Sequence, residues 1–169
     1  MPVTAASPVS GAALREVMRS YATGVCLATT YRETTDGRQH DAVTVNSFTS
    51  VSLSPPLVSI CLKRDSAFLA DLQSSQVWGI SILDVCGDDI AVQFAQERTA
   101  RAAAMACLGL VEAPRTGALV MGGKTWLECE LFRCVEAGDH VVVIGEVLDT
   151  QQVAGRPPLL FLNGRFRAA

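Results

Sequence analysis

Thr44-Val45-Asn46-Ser47-Phe48-Thr49-Ser50-Val51-Ser52-Leu53-Ser54-Pro55-Pro56-Leu57 is the stretch on which the reading of this chain turns. Its β-branched opening, Val43-Thr44-Val45, reads as strand. Six Ser, Thr or Asn residues then fall between Asn46 and Ser54. They offer hydroxyl and amide groups without charge and with little bulk. Pro55-Pro56 ends the run, because proline cannot donate to a sheet ladder and restricts the residue before it. An apolar strand follows from Leu57 to Lys63. A hydroxyl-rich segment between two buried-type strands can hydrogen-bond an oxygen-rich ligand through side chains and main-chain N–H groups. The same composition serves a polar hairpin or crossover loop. The residues alone leave both readings open.

Working outward, residues 1–10 read as a flexible N-terminal tail and residues 11–169 as a single domain. Residues 11–22 predict a helix with Leu14, Val17, Met18 and Tyr21 on one buried face. Gly24 reads as its stop. Val25–Tyr31 and His40–Phe48 predict strands around a Thr34-Thr35-Asp36-Gly37 turn. Ser66 can cap a short helix running to Gln73, with Phe68, Leu69 and Leu72 inward. Val77–Leu83 reads as strand, Asp88–Ala95 as helix, and the alanine-rich residues 98–107 as helix by propensity. Gly109–Gly117 reads as irregular. Trp126–Val135 and His140–Val147 flank the hairpin signal Glu136-Ala137-Gly138-Asp139. Leu159–Leu162 is a last strand before the Asn163-Gly164 turn. By itself this pattern goes no further than a mixed α+β domain.

Composition narrows the class. The 169 residues are 49% hydrophobic and 18% charged, with net charge −3. A pI near 5.3 argues against a nucleic-acid surface, which is normally basic. The six cysteines form no Cys-x-x-Cys pair, and with two histidines a zinc site by the usual spacing is not expected. No metal site is assigned. Four of the cysteines lie in apolar strand-like runs and read as core residues. Cys129 and Cys134, five apart, would face opposite sides of a regular strand. Met1–Ser10 lacks the basic start and apolar core of a secretory leader. The longest aliphatic run, Val141–Ile144, is too short to span a membrane. A cytoplasmic protein with reduced thiols and no membrane partner is the expectation.

Gly24-Val25, the stretch Thr44–Leu57, Phe94-Ala95, Gly138-Asp139-His140 and Pro158-Leu159-Leu160-Phe161 occur in an order and spacing that resemble the short-chain NAD(P)H:flavin oxidoreductases. The resemblance implies an FMN-binding split barrel: a mainly β fold of the antiparallel Greek-key type with peripheral helices. Six or seven strands would then close a barrel and leave no exposed edge. It also implies flavin reduction by NADH, with NADPH left open. The flavin would be FMN or FAD, delivered in reduced form to a separate flavin-dependent monooxygenase, and the protein a homodimer. No nucleophile–base pair, phosphate loop or His-Glu-x-x-His is present, so no catalytic acid or base is assigned. A protein whose cofactor carries the chemistry needs none of its own; it supplies orientation and electrostatics.

Carried over residue by residue, the resemblance puts Thr44, Val45, Asn46 and Ser47 along the flavin ring edge. Ser50 and Ser52 would reach its ribityl chain or phosphate. Cys61, Leu62, Lys63 and Ser66 would lie beside the flavin, with Lys63 and the Ser66 helix start taking the phosphate. Phe94 is either a core aromatic or a flavin contact, and Arg98 is the nearest following cation. Asp139, His140 and Phe166 would form the nicotinamide side, His140 contacting the dinucleotide and Asp139 orienting its ring. On bare sequence His140 reads first as an exposed strand-start histidine. The chain departs from its relatives at Ala100–Ala106, where many carry an Asp-Lys-Phe-like segment, and at Ser54, where many carry Asp. A flavin- or haem-binding module without catalysis is the rival reading. Gly138-Asp139-His140 discriminates, since a pure binder needs no nicotinamide contact.

Overall fold

The computed structural model describes residues 9–168. The expected N-terminal tail lies outside the described residues except for Val9 and Ser10. Ser10 Oγ accepts from the Ala13 N–H and caps α1 (Gly11–Met18), satisfying one of the free donors of a helix start. The helix stops four residues short of the expectation. Thr23–Gly24 form β1, so Gly24 is a strand residue. The α1 face also departs from expectation. Leu14, Val17, Met18 and Tyr21 are 58, 71, 49 and 63% exposed. Helical spacing identifies an apolar stripe but does not say what covers it.

The remaining elements follow the sequence pattern with shifted ends. They are β2 (Cys26–Thr34), β3 (Gly37–Val45), β4 (Thr49–Leu53), β5 (Pro56–Lys63), α2 (Ala67–Ser75), β6 (Val77–Ile82), α3 (Asp88–Gln93), α4 (Arg98–Met105), β7 (Leu110–Glu112), β8 (Leu119–Met121), β9 (Trp126–Ala137), β10 (His140–Gln151), β11 (Leu159–Leu162) and β12 (Arg165–Ala168). Gly37 takes φ +106° at the exit of the Thr35-Asp36 turn, a conformation glycine adopts without a Cβ penalty. Other short strands were not expected, among them Arg165–Ala168, which pairs with β11 beyond the strand read as the last. Thr49–Leu53, within the hydroxyl-rich stretch, pairs with β5. Leu110–Glu112 pairs with β8 inside the segment read as irregular.

Seven strands make one sheet in the order β3-β2-β6-β9-β10-β5-β4, and β1-β11-β12 make a second. Every pair is antiparallel. The fold is mainly β, a barrel with peripheral helices. The sequence had suggested a closed barrel, but this one is not closed by hydrogen bonds. Its edges β3 and β4 are not neighbours in the ladder. The cause is local: the Thr44 N–H near the end of β3 donates to the Phe94 carbonyl at 3.1 Å, so this donor serves the turn after α3. The barrel is split at Asn46–Phe48.

β2 is buried on both faces. Cys26 and Ala28 belong to one core with Ile60, Phe68, Leu72, Trp78, Ile80 and Val143. Val25 and Leu27 face a second core with Leu83, Ala91, Phe94 and Leu159. α2 plugs the first core, and each large apolar side chain fully buried contributes roughly 1.5–3 kcal/mol. A bulge revises the cysteine expectation. The β9–β10 register slips between Leu131 and Arg133, leaving Phe132 as the extra residue and 50% exposed. The slip restores phase, so Cys129 lies in the first core and Cys134 packs against it. Burial pushes the Cys26 and Cys129 thiols up to about 12. Among the described residues no helix is long and apolar enough to cross a membrane.

Candidate active site

A cavity of about 630 Å³ opens at the split, within the range of small-molecule sites. Four parts of the chain line it: the end of β3 with Asn46 and Ser47, the end of β5 with the start of α2, the Phe94–Arg98 turn with Arg101, and His140 at the start of β10. Thr44, Val45, Asn46, Ser47, Cys61, Leu62, Lys63, Ser66, Phe94, Arg98 and His140 all lie on its wall. Ser50, Ser52, Asp139 and Phe166 do not. Ser50 and Ser52 sit on β4, beyond the split, where Ser52 Oγ accepts from the Ser54 N–H. Phe166 stacks at 5.4 Å on Phe161 and packs against the second core.

Several of these side chains build the wall before they can read a ligand. Thr44 Oγ1 donates to the Ala91 carbonyl at 2.8 Å and pins the α3 turn to β3. Ser47 Oγ is hydrogen-bonded to the backbone of Cys61. Ser66 Oγ accepts from the Leu69 N–H and caps α2. Ser66, Ala67 and Phe68 at the start of α2 line the cavity, and a helix N-terminus is a favourable end for an anion. Phe94 is buried in the second core and is also among the residues that line the cavity.

The cations divide. Arg64 donates to the Gly138 carbonyl at 2.7 Å and pairs with Glu136 at 3.3 Å, so it ties the β9–β10 hairpin. Lys63 lies opposite His140 in the β5–β10 register and makes no ion pair among the described residues. Arg98 pairs with Asp71 and approaches Asp41 at 3.5 Å. Arg101 holds Asp41 through its Nε and Nη2 at 2.8–3.2 Å. Sequence reading missed Arg101, Asp41 and Asp71. Arg101 had one signal: it falls three residues after Arg98, on the same face of a helix. Asp41 and Asp71 had none, because the fold alone joins β3, α2 and α4.

His140 is oriented by its neighbour. Its Nδ1 lies 2.8 Å from Asp139 Oδ1. That hydrogen bond, and then the charge of His140, hold the Asp139 carboxyl below the usual carboxylate range. An ionised carboxylate only accepts, so Nδ1 carries the proton. With Nδ1 so engaged, Nε2 is the ring nitrogen left for another partner.

The arrangement is that of a split-barrel protein with a cavity at its seam. Comparison with known proteins narrows the class. The family model of the flavin reductase like domain matches residues 18–169. An NADH-dependent FAD reductase of Streptomyces globisporus is 34% identical over 98% of this chain and 90% of its own. BorF, the flavin reductase component of a bacterial two-component tryptophan halogenase, is 34% identical with a TM-score of 0.83, over 94% of this chain and 98% of its own. The Streptomyces globisporus C-1027 NADH:FAD oxidoreductase SgcE6, solved with NAD and FAD fragments, is 32% identical with a TM-score of 0.84, over 97% of each chain. The chain belongs to the flavin reductase like family.

Proposed function

We propose that the protein is an NADH:flavin oxidoreductase that reduces FAD or FMN and passes the reduced flavin to a separate monooxygenase. One observation carries the reading: a single cavity gathers Thr44–Ser47, Cys61–Lys63, Ser66, Arg98 and His140 from distant parts of the chain. Its donor set fits a flavin. Val43, Val45 and Phe94 give apolar wall, while Lys63, Arg98 and the α2 N-terminus suit a phosphate. A flavin held there supplies hydride acceptance from a nicotinamide. The chain's own residues bind and orient. Lys63 and Arg98 hold the anionic tail, Asn46 and nearby backbone meet the ring edge, and Asp139 fixes His140. The Nε2 of His140 suits a carboxamide. That pairing favours the reductase over a binding module without catalysis.

Residues 11–169 act as one domain in this reading. The exposed α1 stripe supports a homodimer, since a second copy would cover it. Six free thiols fit a reducing, cytoplasmic setting. The test mixes protein, NADH or NADPH, and FAD or FMN, and follows the nicotinamide absorbance band. Flavin-dependent oxidation of NADH is expected. Its absence with every flavin would refute the assignment.

A further inference from the structure

We propose that Asp71 is a positioning residue that aims Arg98 at the ligand's phosphate, so that α2 grips the anion twice. The inference rests on the reading of this cavity as a flavin site. α2 presents its first turn to the cavity through Ser66, Ala67 and Phe68. Asp71 is four residues beyond Ala67, hence on the same helix face. Its side chain is 9% exposed, whereas that of Arg98 is 30% exposed. The carboxylate is therefore a buried anchor and the guanidinium the part that meets the cavity.

Asp41, with a side chain 2% exposed, approaches Arg98 Nε at 3.5 Å and is itself held by Arg101 at 2.8 Å. A guanidinium has five N–H donors in a rigid fork. With Nη2 on Asp71 and Nε turned to Asp41, the remaining donors keep a fixed direction. The two arginines and two aspartates sum to zero charge. The quartet thus acts on an anion through aimed donors and not through excess positive charge.

This yields a sign that separates the two views. If charge alone mattered, removing the Asp71 carboxylate would leave the quartet positive and tighten binding of a phosphate. If Asp71 positions Arg98, its removal weakens binding of the phosphorylated ligand and spares the unphosphorylated one.

The experiment titrates riboflavin and FMN into wild type, Asp71→Ala, Asp71→Asn, Arg98→Ala and the double variant Asp71→Ala/Arg98→Ala. FMN affinity should fall about tenfold in Asp71→Ala, the scale of one charge-assisted hydrogen bond. Riboflavin affinity should hold within about twofold, a readout that general loosening of the cavity would move equally. Asp71→Asn, which keeps a neutral acceptor, should fall between the two. The double variant should match Arg98→Ala. A loss of FMN preference in Arg98→Ala with none in Asp71→Ala overturns the positioning role alone. An unchanged preference in Arg98→Ala overturns the phosphate role of Arg98 and the proposal with it, while flavin-dependent NADH oxidation tests the reductase reading separately. If Asp71→Ala does not fold, Asp71→Asn decides: FMN preference equal to or above wild type overturns the proposal.

Discussion

Ser47 Oγ accepts the Cys61 N–H at 2.9 Å and approaches the Cys61 carbonyl at 3.3 Å. The β4–β5 ladder pairs Thr49 with Ser59. Two residues further along that register, Ser47 stands opposite Cys61. There a side chain replaces the main-chain pairing, and it does so at the cavity wall.

Ser47→Ala should remove this link while leaving β4 paired. Loss of a net hydrogen bond costs about 1 kcal/mol, which lowers Tm by roughly 2–4 °C in a chain of this size. Flavin affinity should fall more than that stability loss implies, because the wall itself is released. Calorimetry and flavin titration on one preparation measure both.

Cys61 is an exposed thiol on the cavity wall, whereas Cys26 and Cys129 are buried with raised thiol pKa values. The thiolate is the reactive form. Alkylation should therefore modify Cys61, Cys86 and Cys107 and spare Cys26 and Cys129. Saturating FMN should protect Cys61 and not Cys86 or Cys107. Peptide mapping with and without flavin reads the pattern directly.

His40 sits edge-on to Tyr31 at 5.4 Å, with Nδ1 buried and without a hydrogen-bond partner. Burial lowers its pKa below the ordinary 6.5; Arg38 pushes the same way, against Glu112 and Glu33. Between the folded and unfolded values the unfolded chain binds more protons, so stability rises with pH through that window and is lost as pH falls through it. Tm should drop as pH falls through the ordinary histidine value of 6.5 and below it. His40→Phe, which keeps the aromatic edge contact, should flatten part of that slope. An unchanged slope would mean that other groups set it.

The apolar stripe of α1 makes stability depend on concentration if a second copy covers it, since association binds only the folded form. Tm of the wild type should rise with protein concentration. Val17→Glu should abolish the rise and leave a monomer by light scattering. Because Val17 is 71% exposed, the fold of the single chain should survive the change.

Strand-forming runs and turn residues made most of the fold legible. Asp36-Gly37 and Gly138-Asp139 marked hairpins, and Ser66 marked the α2 start, because each acts within a few residues. What stayed hidden depends on distant neighbours. The α1 stripe reads as buried from spacing, but no partner among the described residues covers it. The Phe132 bulge is a register event between two strands, invisible in either alone. Hydroxyl-rich residues pointed to the site, yet Thr44, Ser47 and Ser66 turned out to brace its walls. Arg101, Asp41 and Asp71 meet only after three elements pack.

The split at Asn46–Phe48 has one more consequence. A barrel laced shut along β3 and β4 would place backbone rungs across the mouth of the cavity, and any guest inside would wait for strands to unzip. Here the seam carries no rungs, and one wall hangs from the α3 turn through Thr44 while the other belongs to β5 and α2. Loading and unloading then require only that side chains give way. That suits the release of reduced flavin that the proposed function requires.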